Sequence, residues 1–302
     1  MSVDWVSIAV LSTAVLGLVN IIDSHLITKR MPSLPAFLLP AGFLILFFAL
    51  VLSYLFPLPE GVGSQPMIVA VVSGLLRAGS LVILLYVLKT EEVSRAIPVF
   101  HTFPVFVAIM ALPLLGETLG YLQWLAIVIV VAGAVLLSVK WGRDGSTSWP
   151  GRTFFLLLGA SLLMAGANIA SKYALGYVSF WNMYWISALC MSAVFMLISL
   201  RRHVFRELAT MGRRGSALGL LAFNELLVLI GVLLMFWAME NGPVSLVSTI
   251  AGGRPLFVLI YAVTLSRFLP RFLVWQYGRE ALALRIIATT LIVSGIAVIY
   301  LT

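Results

Sequence analysis

Charged residues are scarce in this sequence: they make up 10% of its 302 residues, whereas soluble domains carry about 25%. A composition so poor in charge excludes an ordinary water-soluble domain. The single cysteine, Cys190, excludes a disulfide within the chain. Long polar stretches are absent too, which leaves no room for a soluble domain between the apolar segments.

Enzyme motifs are also missing. No Gly-rich loop follows a strand, no metal-ligand spacing occurs, and no Ser/His/Asp set has a supporting context. We therefore expect a protein that is not an enzyme and that uses no cofactor or metal. The net charge of +8 is spread over loops and predicts no nucleic-acid partner.

Apolar segments dominate what is present. Hydrophobic residues make up 62% of the chain, and the mean hydropathy is +1.12. Runs of about 18 or more apolar residues recur, long enough to cross roughly 30 Å of hydrocarbon as helices. We predict an all-α integral membrane protein with ten spans. They lie at about 5–28, 34–56, 66–88, 93–115, 119–140, 153–176, 180–200, 216–239, 244–267 and 283–301.

The second half of the chain repeats the first. The matched segments are 17–21 with 165–169 (offset 148), 86–106 with 237–257 (offset 151) and 132–134 with 294–296 (offset 162). Each predicted repeat, 1–145 and 146–302, holds five spans. Because five is odd, the two repeats face opposite ways, as in transporters whose binding site lies between inverted repeats.

Basic residues predict the orientation. Sixteen of the nineteen Lys and Arg residues fall at alternate ends of the spans, and the other loops carry none. The positive-inside rule then predicts a cytoplasmic (inner) membrane protein with both termini outside. Two basic connections, 201–215 and 268–282, are interpreted either as segments lying flat on the inner leaflet or as solvated loops. Gly133 and Gly295 indicate close helix packing, within the chain or at a homodimer seam.

Two arginines lie deep in predicted spans. Arg77 is at the middle of span three and Arg254 is near the middle of span nine. Ionisable groups in a bilayer are costly and are often functional. Either Arg77 and Arg254 bind an anionic substrate group, or Glu225 and Asp23 neutralise them as buried structural pairs.

Prolines interrupt spans four and nine at matching positions. Pro98 and Pro104 flank His101, and Pro255 follows Arg254. Interrupted helices at corresponding places in two repeats indicate a transport site. We therefore assign His101 to the substrate site together with Arg254.

The remaining candidate site residues are acids, amides and one aromatic. Glu225 is predicted to be the coupling carboxylate, with Asp23 as its possible partner; a permanent pairing of Glu225 with Arg77 is the alternative. Asn20 and Asn168 match in the repeats and either bind substrate or bond across helices. Trp237 either lines the cavity or packs.

The chain resembles the ten-span EamA-type members of the drug/metabolite transporter superfamily. The resemblance rests on Gly116-Glu117 at the fourth-to-fifth connection, on the small-residue fifth span and on span one. It implies two inverted five-helix units and carriage of small metabolites, often by proton coupling or exchange. The second repeat lacks a clean Gly-Glu at its matching connection.

These observations together predict a secondary transporter of a small anionic or zwitterionic metabolite, working by alternating access. The expected partners are that metabolite and membrane lipids, with the chain as a monomer or homodimer. The alternative function is a flippase for lipid-linked substrates, or an accessory membrane subunit.

Overall fold

The computed structural model describes residues 4–90, 99–138, 151–212, 214–268 and 279–301, and within these ranges the structure is helical with no strand. The helices are α1 (Trp5–His25, continued by a π-helical turn Leu26–Arg30), α2 (Leu34–Leu55), α3 (Ser64–Thr90), α4 (Phe103–Leu115), α5 (Tyr121–Ser138), α6 (Gly151–Leu175), α7 (Phe180–Ser199), α8 (Arg202–Thr210), α9 (Arg214–Asn241), α10 (Val244–Gly252), α11 (Arg254–Phe268) and α12 (Arg279–Leu301).

Local sequence signals account for several helix ends. Asp4 and Ser33 are N-caps whose side chains accept backbone hydrogen bonds at the start of α1 and α2. Ser179 forms a capping box with Asn182 at the start of α7. Gly116 adopts φ 66° and ends α4 in a left-handed turn, which glycine tolerates without strain.

Among the described residues, seven helical segments are long and apolar enough to cross a membrane. They are Trp5–Arg30, Leu34–Leu55, Ser64–Val87, Thr153–Leu175, Phe180–Ser199, Arg214–Asn241 and Val244–Tyr261. Three shorter apolar helices, Phe103–Leu115, Tyr121–Leu136 and Ile286–Leu301, fall in the other three predicted spans.

Four helix pairs have the most extensive contacts: α3 with α6, α2 with α7, α5 with α12, and α1 with α9. The α5–α12 pair depends on the two glycines noted in the sequence. A Cβ on Gly133 would lie 2.8 Å from Ile292 Cγ1, and one on Gly295 would lie 2.5 Å from Val130 Cγ2. Both glycines are therefore used for close packing within the chain.

The fourth and ninth predicted spans are both interrupted. Residues 99 and 100 are helical, His101 and Thr102 form a turn, and α4 starts at Phe103. In the second case α10 ends at Gly252 and α11 starts at Arg254. Predicted span nine, 244–267, is thus two short helices. Pro255 has no N–H to continue the hydrogen-bond ladder there.

The basic connection 201–215 contains the short amphipathic helix α8. Its Val204 is fully buried and packs with Ala36 and Leu39 of α2. Ser33 Oγ donates to Glu207 Oε2 at 2.5 Å, which ties α8 to the start of α2. The prediction for 268–282 falls mainly on residues outside those described.

Candidate functional site

Arg77 projects from the middle of α3 towards α6. Its Nη2 donates to Asn168 Oδ1 at 3.1 Å and to Ser171 Oγ at 3.2 Å, while Nη1 lies 3.8 Å from the Met164 sulfur. The guanidinium also lies 5.1 Å from the centroid of the Phe236 ring, a cation–π contact. All of these partners are neutral, so they orient the arginine without neutralising its charge.

Arg254 has even fewer partners. Its Nε is buried without a hydrogen bond, and no described residue bonds to its two terminal nitrogens. Arg254 is close enough to Arg77 and to His101 for its charge to act on both. The break between α10 and α11 therefore brings a second guanidinium to the region that Arg77 occupies. Within the described part of the chain, neither arginine forms an ion pair with a carboxylate.

The two matched asparagines have different surroundings. Asn168 is 2% exposed; it accepts from Arg77, and its Nδ2 donates to Ser248 Oγ of α10 at 3.2 Å. Asn168 therefore fixes Arg77 relative to α10. Asn20 is half-buried and has no hydrogen-bond partner among the described residues. Its amide thus remains available to a ligand.

His101 and Trp237 have different surroundings. His101 is buried and packs beside the rings of Phe100 and Phe103, and its Nδ1 lacks a partner in the described structure. Trp237 is half-buried, and its backbone carbonyl accepts from the Asn241 side chain. Another membrane-embedded tryptophan, Trp185, donates from Nε1 to the Phe56 carbonyl at 3.1 Å and so has a structural role.

The acidic candidates form a separate group. Asn224 Nδ2 donates to Asp23 Oδ1 at 2.7 Å, which joins α9 to α1. Glu225 is 5% exposed and lies within electrostatic range of Asp23 and of Tyr184 on α7. The structure therefore places the two acids near each other, and neither forms an ion pair with Arg77 or Arg254 among the described residues.

Two charged residues hold the turn between α9 and α10. Glu117 accepts from the backbone N–H of Val244 at 2.6 Å and of Ser245 at 3.3 Å, and also from Ser245 Oγ. Lys172 Nζ donates to the carbonyls of Met239 at 2.7 Å and Gly242 at 2.9 Å. A carboxylate at a helix N-terminus and an ammonium at a helix C-terminus each offset the local backbone dipole.

Sequence reasoning missed several of these partners. Ser171 lies three residues after Asn168, so helical spacing places both on one face and was a usable signal. Ser248 and Phe236 had no distinguishing signal, because their roles depend on contacts across helices. The Gly116-Glu117 motif was identified in the sequence. Its spacing could not predict that Glu117 caps a helix in the other half of the chain.

Among the described residues, no group of three His, Cys, Asp or Glu side chains is placed to hold an ion. The arrangement consists of two guanidiniums that no described carboxylate pairs with, oriented amides and hydroxyls, and two carboxylates that lie near each other. These are groups for binding an anion and for carrying a proton.

Several long apolar helices define a multi-pass membrane protein. Residues 4–139 match the EamA-like transporter family of the drug/metabolite transporter superfamily, and together with the apolar helices this match indicates a membrane transporter. The resemblance seen in the sequence is thereby confirmed.

Other comparisons concern the whole chain. No curated protein matches it significantly. A crystal structure of another protein resembles it over 98% of this chain and 95% of the other, with a TM-score of 0.68 and 20% sequence identity. At that identity the likeness shows the fold alone.

Proposed function

We propose that this protein is a secondary active transporter that carries a small anionic or zwitterionic metabolite across the cytoplasmic membrane by alternating access. The observation that carries the proposal is positive charge without a counterion. Arg77 and Arg254 lie near each other in membrane-spanning helices, and no described carboxylate pairs with either. A charged side chain at the centre of a bilayer costs about 3 kcal/mol or more. An anionic substrate group offsets that cost when it binds.

The remaining candidates supply hydrogen bonds around this charge. Asn168 and Ser171 hold Arg77 in place, so its guanidinium is oriented before a ligand arrives. Asn20 and His101 each carry polar atoms that no described residue satisfies. In this proposal they bond to the substrate, and Trp237 covers its apolar part.

Asp23 and Glu225 couple transport to protons in this proposal. Two carboxylates that lie near each other disfavour simultaneous ionisation, which is the property that a proton-coupling pair needs. Their separation from the arginines allows a proton and a substrate to bind at different places in the cycle. Exchange of one substrate for another is the alternative driving mode.

We further infer that the chain is a ten-helix protein made of two inverted five-helix repeats. Contacts between helices support this inference, because they recur at the offsets seen in the sequence. Ser12 Oγ donates to the Gly231 carbonyl at 2.7 Å, and Ser80 Oγ donates to the Ala160 carbonyl at 2.7 Å. Positions 12 and 160 differ by 148, and positions 80 and 231 differ by 151.

A second contact recurs in the same way. Asp23 bonds to Asn224 between α1 and α9, and Ser171 bonds to Ser73 at 2.6 Å between α6 and α3. The same two offsets relate position 23 to 171 and position 73 to 224. Helices α1 and α9 therefore meet as helices α6 and α3 do, which a two-fold relation between repeats requires.

The helix breaks recur as well. The Thr102 N–H donates to the Val99 carbonyl and the Val105 N–H to that of Thr102. The Gly253 and Leu256 N–H groups repeat this pattern 151 residues later. We propose that these two breaks are the hinges about which access alternates. The positive-inside rule, applied to the basic loops, favours an orientation of this protein with both termini outside.

Arg254→Gln tests the proposal. Purified protein is screened by thermal shift against monocarboxylates, dicarboxylates, phosphorylated sugars and amino acids, and uptake of a hit is measured in proteoliposomes. Removing one partner of a desolvated charge pair costs about 2 kcal/mol or more, or roughly thirtyfold in affinity. We expect Arg254→Gln to lose binding and uptake to at least that extent.

Arg202→Gln is the matched control, because it removes the same charge from an exposed position on α8. Wild-type uptake by Arg254→Gln would overturn the site. Stabilisation by polyprenyl phosphates alone, with no metabolite hit, would favour the flippase function instead.

A further inference from the structure

A cleft lies between the first half of α2 and the start of α9, next to α8. It is lined by Leu39, Pro40, Phe43, Phe205, Leu208, Ala209, Arg214 and Leu218. Seven of these eight side chains are apolar and the eighth is an arginine. This cleft lies away from the substrate site and shares none of its residues.

Helix α8, beside the cleft, has an apolar face and an exposed basic face. Its Leu208 packs on α2 beside the fully buried Val204, which anchors the apolar face of the helix. Arg202 and Arg206 lie on its exposed face. An amphipathic helix of this kind lies at the membrane–water boundary, so the cleft opens at headgroup depth.

The open wall of the cleft is apolar. Phe43 is 49% exposed and Phe205 is 50% exposed. In a membrane-spanning bundle such side chains face acyl chains, and a water-soluble metabolite would gain little from them. The occupant must therefore bring a hydrocarbon part.

The charge in the lining determines which chemical group the other end of the bound molecule must carry. Arg214 is exposed and is the only charged residue of the lining. The nearby acid on α8, Glu207, is bonded to Ser33 at 2.5 Å and does not line the cleft. Arginine binds phosphate in a bidentate geometry, and basic residues near a membrane surface attract anionic lipids.

We propose that this cleft binds one acidic glycerophospholipid of the leaflet on the basic-loop side. Its acyl chain lies between Phe43 and Leu218, and its phosphate is bound by Arg214. The lipid thereby bridges α2, α8 and α9, three helices from both halves of the chain.

Thermal unfolding in a neutral detergent tests the proposal. Phosphatidylglycerol and phosphatidylcholine with identical acyl chains are added separately to the full-length protein. We expect phosphatidylglycerol to raise the unfolding temperature clearly more than phosphatidylcholine, because only its net charge favours Arg214. An equal rise with both lipids would overturn the proposal.

Two variants locate the effect. Arg214→Gln is expected to lose at least half of the phosphatidylglycerol shift, whereas Arg201→Gln, an exposed arginine outside the lining, keeps it. Ala209→Trp fills the cleft without changing charge and is expected to lose the shift as well. Equal losses in the two arginine variants, or a full shift in Ala209→Trp, would contradict a defined site.

Native mass spectrometry provides a readout that does not depend on how the variants fold. Wild-type protein with added phosphatidylglycerol is expected to retain one lipid that survives detergent removal. A dimer peak that competes with the lipid-bound monomer would identify a second copy of the chain as the occupant, and would overturn the lipid assignment.

Discussion

The helix pairs α1–α9 and α3–α6 use equivalent contacts but carry opposite charges. Each pair has a serine hydroxyl bonded to a backbone carbonyl of the facing helix, at 2.7 Å in both cases. Each helix pair also contains a second polar contact, formed between two side chains. In α1–α9 that contact includes a carboxylate, Asp23, and in α3–α6 it joins two hydroxyls that lie beside Arg77.

The charges themselves have neutral counterparts. At the offset of 151, Arg77 corresponds to Val228, and Glu225 corresponds to Gly74. The contacts that hold the helices together thus recur in both halves, whereas the charged groups proposed to act on substrate and proton do not. In the proposed mechanism, this asymmetry of charge keeps the anion site and the two acids apart.

The largest expected effect comes from replacing the carboxylate of Asp23 in the α1–α9 pair. Asp23→Asn keeps an oxygen that accepts from Asn224 Nδ2 but cannot titrate. We expect uptake of the screened metabolite in proteoliposomes to lose its response to an imposed proton gradient, while exchange across the membrane continues. Gradient-driven uptake at the wild-type rate would exclude Asp23 from coupling.

Ser171→Ala is the matched change in the other pair. It removes one hydrogen bond to Arg77 and the bond to Ser73, without touching an acid. We expect the affinity for substrate to fall by a few fold, in line with about 1 kcal/mol for such a bond. The response to the proton gradient should be unchanged.

A second test concerns Gly74, the counterpart of Glu225. A Cβ on Gly74 would lie 2.8 Å from Cys190 Cβ and 3.0 Å from Ser187 Cα, so α3 and α7 approach closely there. Gly74→Ala is expected to destabilise the protein by about 1–3 kcal/mol through overpacking, measured by thermal unfolding. Gly219→Ala on α9 is the control, because no atom lies within 4 Å of its added Cβ. Equal unfolding temperatures for the two variants would contradict the close packing.

Much of the scaffold followed from the sequence, because bilayer thickness and apolar length constrain helices strongly. The break near Arg254 was expected from Pro255, and the structure places it at Gly253. Helix α8 was only one of two interpretations of a basic segment. Its amphipathic pattern is too short to decide between the two interpretations. The packing of Val204 on α2 shows that the segment lies against the rest of the chain.

The site was less predictable, since side-chain partners depend on helix rotation and register. The sequence indicated how deep Arg77 and Arg254 lie in their spans, but it could not show whether a carboxylate contacts them. The structure pairs Asp23 with Asn224 instead. Glu117 is a similar case: its motif was recognised, yet its bonds to Val244 and Ser245 cross between halves of the chain.

The smallest expected effect tests the equivalence of the two helix pairs directly. Ser12→Ala and Ser80→Ala each remove one hydroxyl-to-carbonyl bond between facing helices. Such bonds contribute about 0.6 kcal/mol within membranes, so we expect two small and closely matched decreases in unfolding temperature. The two sites lie in different helix pairs, and the double variant should therefore show the sum of both decreases. Ser53→Ala, whose hydroxyl bonds only within its own exposed helix turn, is the control and should change little. A large decrease in one variant and none in the other would break the equivalence and leave the recurring contacts without a common origin.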